Sequence, residues 1–406
     1  MKILYFGTVC NLEAYDRRFE NSASKPSVAP IVFESALLEG FYQNGVDVEI
    51  HSFPMIPSYP RYRALHFRGN EEQLSCGYTC HWLNTINIPV FKQLSRRVDA
   101  RKVIRKWLND HAEDGIILTY SIPPFLVKDI LTYAKKYHVK TAAIIPDLLR
   151  DMYINENQHT ILYRLKQWYL KPALRLQGDY DGYVYLTDAM SEIVAPGKPY
   201  MVMEGIADTG NVIAPDTEEK AAPRGIMYAG MLHEKYGILN LIDAFEQLDM
   251  PDAELWLFGE GTAVPEIKAR AAADNRIRYF GSVSRSQILE YERRATLLVN
   301  PRDPAETFTK YSFPSKTIEY MLSGTPLMTT KLKGIPEAYF DYVFSSESNR
   351  TEALAEAIKK AMQRPEKELM KFGRRAQEFI KREKNSCWQV KRILTFLEGI
   401  HYDAES

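Results

Sequence analysis

The segment Tyr311-Ser312-Phe313-Pro314-Ser315-Lys316-Thr317-Ile318-Glu319-Tyr320-Met321, closed by Ser323-Gly324-Thr325-Pro326, decides how this chain is read. It joins a turn, a lysine at a helix start and, about one helical turn later, an inward-facing glutamate. The first turn of a helix offers free N–H groups and the positive end of the backbone dipole, both of which favour phosphate. Lys316 adds a full positive charge at that same end. Glu319 is placed to accept hydrogen bonds from a neutral diol such as a ribose. Together these parts suit a sugar nucleotide.

Upstream of this segment, short apolar runs alternate with amphipathic helical stretches, the pattern of α/β layering around parallel sheets. Strands are expected at Gly225–Tyr228, Glu254–Phe258, Ile277–Phe280, Leu297–Asn300 and Pro326–Thr329. Several of them run into glycine turns at the carboxyl end, where α/β proteins bind ligands. Gly230 ends the first and lets backbone approach a ligand. Lys235 follows in the loop, either meeting a phosphate or standing as a solvated lysine in a tight turn. Gly281 ends a later strand, where backbone groups can read the edge of a base. Arg302 is either a phosphate clamp or half of an ion pair with Asp303 or Glu306.

The first half repeats the same alternation. Its strands are expected at Lys2–Phe6, Val46–Ser52, Gly115–Thr119, Thr141–Ile145 and Gly182–Leu186, with a helix from Pro30 to Asn44 ending at Gly45. The repetition predicts two Rossmann-like domains, residues 1–205 and 206–385, with a hinge at Gly205–Pro215 where Gly and Pro cluster. Helices are expected at Thr351–Gln363 and Glu366–Arg382, and the last segment, 386–406, is expected to pack back on the first domain. Asp147 stands at a strand's carboxyl end, either orienting an acceptor hydroxyl or capping the next helix. The triplet Thr187-Asp188-Ala189, with Ser191, reads as a helix cap.

Bulk composition sets the limits. At 406 residues, two domains are the default. Lys plus Arg (52) balance Asp plus Glu (52), which argues against a nucleic-acid binder. No apolar run approaches the ~20 residues of a membrane-spanning helix. The N-terminus reads as a buried strand rather than a signal peptide. Four scattered cysteines fit a reduced, cytoplasmic protein. Cys76, Cys80 and His81 lack the second ligand pair of a metal site, so no metal is expected. Charge is uneven locally. Residues 91–106 carry seven basic side chains against Asp99, and residues 162–177 carry Arg164, Lys166, Lys171 and Arg175 among Tyr163, Trp168, Tyr169 and Leu170. Basic helices with interleaved aromatics suit the inner face of an anionic membrane, whereas the same pattern also describes an ordinary surface helix.

From roughly Gly225 to Ala338 the chain resembles the C-terminal domain of the family 4 retaining glycosyltransferases. The specific block is Asn300-Pro301-Arg302, Tyr311 to Lys316, Glu319-Tyr320 and Gly324-Thr325-Pro326, and it looks like the branch that builds bacterial surface polysaccharides. The resemblance implies a GT-B fold, two Rossmann-like domains facing each other across a cleft. It also implies transfer of a sugar from a nucleotide-diphosphate sugar to a hydroxyl of a glycan or lipid-linked acceptor, with retention of configuration and no cofactor beyond the donor substrate. Domain closure then aligns the acceptor and excludes water.

Lys316 and Lys235 are expected to act on the leaving phosphates and Asp147 on the acceptor. Glu319, Gly230, Arg302, Ser315, Gly281 and Tyr311 are the expected donor contacts. This chain departs from the family pattern in several places. The family pairs two glutamates eight residues apart; Glu319 fills the second position and Tyr311 the first. Met231 stands where an arginine often follows the first glycine, and Tyr236 where a lysine precedes the next. Lys25-Pro26-Ser27-Val28-Ala29-Pro30 replaces a glycine-rich loop. Two other readings compete: a nucleotide-sugar epimerase or hydrolase on the same fold, and a non-catalytic partner in a polysaccharide assembly complex, favoured by the missing first glutamate. A nicotinamide oxidoreductase is disfavoured because Phe6-Gly7-Thr8-Val9-Cys10 lacks dinucleotide-loop glycine spacing.

Overall fold

The computed structural model describes residues 1–12, 14–20, 22, 28–151, 160–207 and 223–401. Lys25–Ser27 of the loop noted above, and residues 208–215 of the expected hinge, lie outside them. The chain divides into two compact units, Met1–Asp208 with Ser386–Ser406, and Thr209–Asn385.

The first unit carries strands β1 (Lys2–Gly7), β2 (Asp47–Ser52), β3 (His66–Phe67), β4 (Glu71–Gln73), β5 (Thr79–Trp82), β6 (Thr85–Ile86), β7 (Gly115–Tyr120), β8 (Lys140–Ile145), β9 (Gly182–Tyr185) and β10 (Tyr200–Val202). Its helices are α1 (Tyr15–Phe19), α2 (Ala29–Gln43), α3 (Phe91–His111), α4 (Val127–Tyr137), α5 (Ile161–Leu176) and α6 (Ser191–Val194). The main sheet runs β10-β9-β8-β7-β1-β2-β5-β4, parallel except where β4 joins β5. Central strands of such a sheet are covered on both faces and must be apolar throughout. Ile3–Phe6, Ile116–Leu118 and Ala142–Ile145 meet that demand, each almost fully buried.

The second unit repeats the plan more tightly. Its strands are β11 (Arg224–Ala229), β12 (Ala253–Phe258), β13 (Ile277–Gly281), β14 (Leu297–Asn300), β15 (Leu327–Thr330) and β16 (Phe344–Ser346). Its helices are α7 (Ile238–Glu246), α8 (Val264–Ala273), α9 (Arg285–Arg294), α10 (Ser315–Leu322), α11 (Thr351–Met362) and α12 (Glu366–Glu383). All strand pairs are parallel, in the order β13-β12-β11-β14-β15-β16. The chain thus winds outward from β11 in one direction, then returns to β14 and winds the other way. The winding reverses between β11 and β14, and the crevice at the carboxyl ends of the strands at such a switch point is the usual ligand position in a doubly wound sheet.

The last helix, α13 (Ser386–Gly399), belongs to the first unit. Gln389 donates to the carbonyls of Met203 (2.8 Å) and Gly205 (2.7 Å), and Asn44 donates to that of Cys387 (3.0 Å). Val390, Ile393 and Leu397 join the same core as Leu37, Leu38 and Phe41 of α2. Each such side chain buried adds roughly 1.5–3 kcal/mol of transfer free energy, so the helix is held by a few apolar anchors and a buried amide.

Candidate functional site

At the crevice of the second unit, the loops after β11 and β14 touch. Gly237 has φ +79°, and a Cβ there would sit 2.0 Å from the Pro301 carbonyl oxygen, so only glycine allows the contact. The approach brings Lys235 and Arg302 to one aromatic ring. Lys235 Nζ lies 5.2 Å from the centroid of Tyr236, and the Arg302 guanidinium carbon also 5.2 Å from it. Tyr236 is itself buried, edge-on to Phe308. The tyrosine in the family's lysine position therefore seats two cations that sequence spacing had left apart.

The glycine turns at the strand ends form a linked series. Gly230 N–H donates to the Phe258 carbonyl (3.0 Å), and Gly259 N–H donates to that of Gly281 (2.8 Å). Gly230 and Gly281, both expected to contact a ligand through backbone, are thus each bonded to the end of β12 between them, Gly230 to Phe258 and Gly281 to Gly259.

Helix α10 is fastened to the same strand end. The Tyr320 hydroxyl accepts from the Ala229 N–H (2.8 Å) and donates to the Ala229 carbonyl (3.1 Å). The helix starts after Pro314, and no side chain caps its first turn. Thr317 N–H donates to the Pro314 carbonyl (2.8 Å), while no cap side chain claims the N–H groups of Ser315 and Lys316, which leaves the positive end of the dipole available to an anion. Ser315 is exposed in that first turn. Tyr311 lies just upstream, half-buried, with Lys310 Nζ 5.4 Å from its ring centroid.

Lys316 and Glu319 are hydrogen-bonded to each other, one helical turn apart. A third group, which sequence reading missed, completes the cluster: Glu292 of α9. Its carboxylate is fully buried, neither oxygen has a hydrogen-bond partner, and Lys316 Nζ lies 3.7 Å from its Oε1. Burial first, then the negative charge of Glu319, pushes the Glu292 carboxyl well above the usual carboxylate range. Burial also works against the charge of Glu319, but the Lys316 ammonium outweighs it and holds this carboxyl below its ordinary value. Lys316 is likewise penalised by burial, and the two carboxylates more than compensate, raising its pKa. The cluster is thus a lysine between two carboxyls, one driven down by its charge and the other driven up by burial. In the sequence Glu290-Tyr291-Glu292-Arg293-Arg294, Glu292 is indistinguishable from the charged face of an ordinary surface helix; only its phase on α9 turns it inward.

The first unit supplies Asp147, exposed on the turn after β8. The end of β1 is occupied from within. Glu34 of α2, fully buried, accepts from the Thr8 N–H (2.9 Å), the Thr8 hydroxyl and the Tyr5 hydroxyl (2.7 Å). Burial is the main cause that pushes its pKa up to about 7. A carboxylate therefore takes the N–H group that a phosphate-binding loop at this strand end presents to a ligand. Thr187 precedes the short turn of helix at Asp188–Met190, but its side chain makes no capping bond, and its buried hydroxyl has no partner.

The basic stretch 91–106 requires a correction. Lys92 and Arg96 are buried and donate to the carbonyls of Ile56 and Pro54, and Arg97 pairs with Asp129 (2.5 Å). These charges hold α3 to the fold rather than facing outward. The outward side of the first half of α3 is apolar, with Phe91 (56% exposed), Leu94 (54%) and Val98 (48%) beside Val90 (83%), whereas Lys102, Arg105 and Lys106 stay exposed further along. In α5 the expected aromatic core side is also revised: Trp168 is 70% and Leu165 57% exposed, beside the exposed Arg164, Lys171 and Arg175. Among the described residues no helix is long and apolar enough to cross a membrane.

Residues 223–364, which contain the whole crevice of the second unit, match the sequence model of the family described as glycosyl transferases group 1. No curated protein sequence matches the chain. Among solved structures, sucrose-phosphate synthase from Thermosynechococcus elongatus aligns over 98% of both chains at 12% identity, with a TM-score of 0.64. HepE of Anabaena in complex with UDP aligns over 98% of this chain and all of its own at 14% identity, with a TM-score of 0.59. The UDP-forming α,α-trehalose-phosphate synthase from Burkholderia xenovorans is similar (12% identity, 98% and 99% covered, TM-score 0.58). At these identities the likeness establishes the fold, a mixed α/β GT-B fold with two Rossmann-like domains.

Proposed function

We propose that this protein transfers a sugar from a nucleotide-diphosphate sugar to a hydroxyl acceptor, with the donor held in the second unit. The observation that carries the reading is the cluster at the start of α10. Lys316 stands at an uncapped helix N-terminus, next to a carboxylate suited to a ribose, inside the segment that matches the glycosyl transferase family. The neighbours determined with UDP and with UDP-glucose support the same donor class. Lys316, Lys235, Arg302 and the α10 N–H groups oppose the charge that grows on the departing diphosphate, the largest contribution such a site can make. Glu319 fixes the ribose. With Tyr311 in place of an acid, the sugar is read by other groups. We assign retention of configuration and a place in surface-polysaccharide or glycolipid synthesis on the strength of the motif at 311–326.

A thermal-shift panel of UDP, GDP and their sugars tests the donor site. One nucleotide should raise the melting temperature, by roughly 2.7 kcal/mol of stabilisation at a hundredfold excess over Kd. Flat melting curves across the panel contradict the assignment.

The exposed faces of α3 and α5 suit the surface of an anionic membrane. Apolar side chains stand out from both, and exposed Lys102, Lys106, Arg164, Lys171 and Arg175 supply the matching charge. Vesicles of phosphatidylglycerol and phosphatidylcholine should retain the protein at low salt. The double variant Phe91→Ser, Trp168→Ala should weaken retention at least about tenfold, since one buried aromatic ring is worth roughly 2 kcal/mol. Equal sedimentation with and without vesicles contradicts membrane contact.

A further inference from the structure

We infer that Glu292 is a positioning residue of the donor site, which keeps its proton so that Lys316 is free to engage a diphosphate. The inference rests on the donor reading above and adds a residue that neither the motif nor the family match assigns a role.

The geometry sets the problem. Lys316 is the cation between two acids, bonded to Glu319 and 3.7 Å from Glu292. A diphosphate arriving at the helix start draws the ammonium toward itself, because two phosphate charges outbid one carboxylate. When the ammonium moves, Glu319 is taken over by the ribose hydroxyls. Glu292 has no such relief: both its oxygens lack hydrogen-bond partners, and its side chain is fully buried. An ionised carboxylate stranded there costs several kcal/mol, whereas a protonated one costs far less. With Glu292 neutral, Lys316 moves at little expense. With Glu292 ionised, Lys316 is clamped between two anions and the incoming diphosphate meets an extra negative charge.

The surroundings favour the neutral form. From α10, Glu319 repels a charge on Glu292 and Lys316 attracts it. Tyr320 sits close enough to feel the charge of Glu292, and its hydroxyl is fully committed to Ala229. Arg285, at the start of α9, acts on Lys316 and Glu319. Thr325 bonds the Glu292 main-chain carbonyl and leaves the carboxyl alone.

The sign follows. The bound state requires the proton on Glu292, so donor affinity falls as pH rises through its pKa, by up to about tenfold per unit. UDP or GDP, whichever the panel selects, is titrated at pH 7.5 and pH 8.5, a window above the last phosphate ionisation and below that of the base. The wild-type Kd should rise across that interval, by up to about tenfold. In Glu292→Gln and Glu292→Met, which have no proton to lose, the ratio should fall to about one.

A wild-type ratio of one, or a variant that keeps the wild-type ratio, overturns the inference. A second arm needs neither nucleotide nor variant folding. Infrared spectra of wild-type protein with isotope-labelled glutamate should show a protonated carboxyl stretch at pH 7 that disappears at high pH. Its absence at pH 7 overturns the inference outright. Failure of both nucleotides to bind, with the carboxyl band present, instead contradicts the donor reading and leaves Glu292 a neutral buried acid.

Discussion

Lys316→Ala should lose about 10²–10³-fold in turnover while donor affinity changes by less than about tenfold, because a preorganised positive group acts mainly on charge that develops in the transition state. The nucleotide diphosphate is already charged in the ground state, so some binding is lost as well. The additional negative charge on the leaving oxygen exists only as the sugar departs. In free-energy language, kcat and kcat/KM should fall together and KM should move little. Lys235 and Arg302, both stacked at Tyr236, remain in the variant and continue to hold the diphosphate. Loss of the ammonium also leaves Glu319 without its hydrogen bond. Circular dichroism and melting temperature must therefore accompany the kinetics. Lys316→Arg is the partial-rescue control: it keeps the charge but changes its reach. Unchanged turnover in Lys316→Ala removes the lysine from the chemistry.

Gly259→Ala should destabilise the second unit by about 3–5 kcal/mol, since a backbone conformation open essentially to glycine alone is combined with a backbone collision. Gly259 has φ +125°, and a Cβ built on it lies 1.9 Å from the Gly230 carbonyl oxygen. No rotamer change relieves a clash with main chain. Either the loop after β11 moves or that after β12 does, and the first carries Lys235. The bond from Gly259 to the Gly281 carbonyl is strained as well. Chemical denaturation should show a lower midpoint with the slope preserved, and nucleotide binding should weaken in the protein that remains folded. Gly45→Ala is the comparison: it too has positive φ (+68°), but nothing lies within 4 Å of its Cβ. Only the conformational cost applies there, about 1–2 kcal/mol. Equal losses in the two variants contradict the close approach of the strand-end loops.

The long parallel strands were legible in the sequence because a strand covered on both faces has to be apolar along its whole length. Lys2–Phe6, Gly115–Thr119, Glu254–Phe258 and Leu297–Asn300 were each placed to within a residue. The short strands β3 to β6 and β10 escaped. Two to four residues of mixed polarity show neither a period nor the continuous apolar run that marks Leu297–Asn300. At the site, Lys316 and Glu319 were legible as neighbours because both lie on one helix, three positions apart, but the hydrogen bond between them was not. Glu292 was not, because its relation to Lys316 depends on how α9 packs against α10. The misread basic run on α3 failed for a similar reason. A lysine at position 92 is as basic on paper as one at 102, yet burial turns Lys92 toward the Ile56 carbonyl, and its pKa falls to about 7. Charge counts along a helix do not say which charges reach solvent.

The most direct test of the account is release of nucleoside diphosphate from nucleotide sugars by the purified protein. The panel of UDP- and GDP-sugars is supplied with glycan and lipid-linked acceptors, and the product is read by NMR. The account predicts that one donor is consumed, that its sugar appears on an acceptor hydroxyl with the anomeric configuration of the donor, and that Lys316→Ala slows this at least about a hundredfold. A donor that binds tightly yet is neither transferred nor hydrolysed with any acceptor contradicts it.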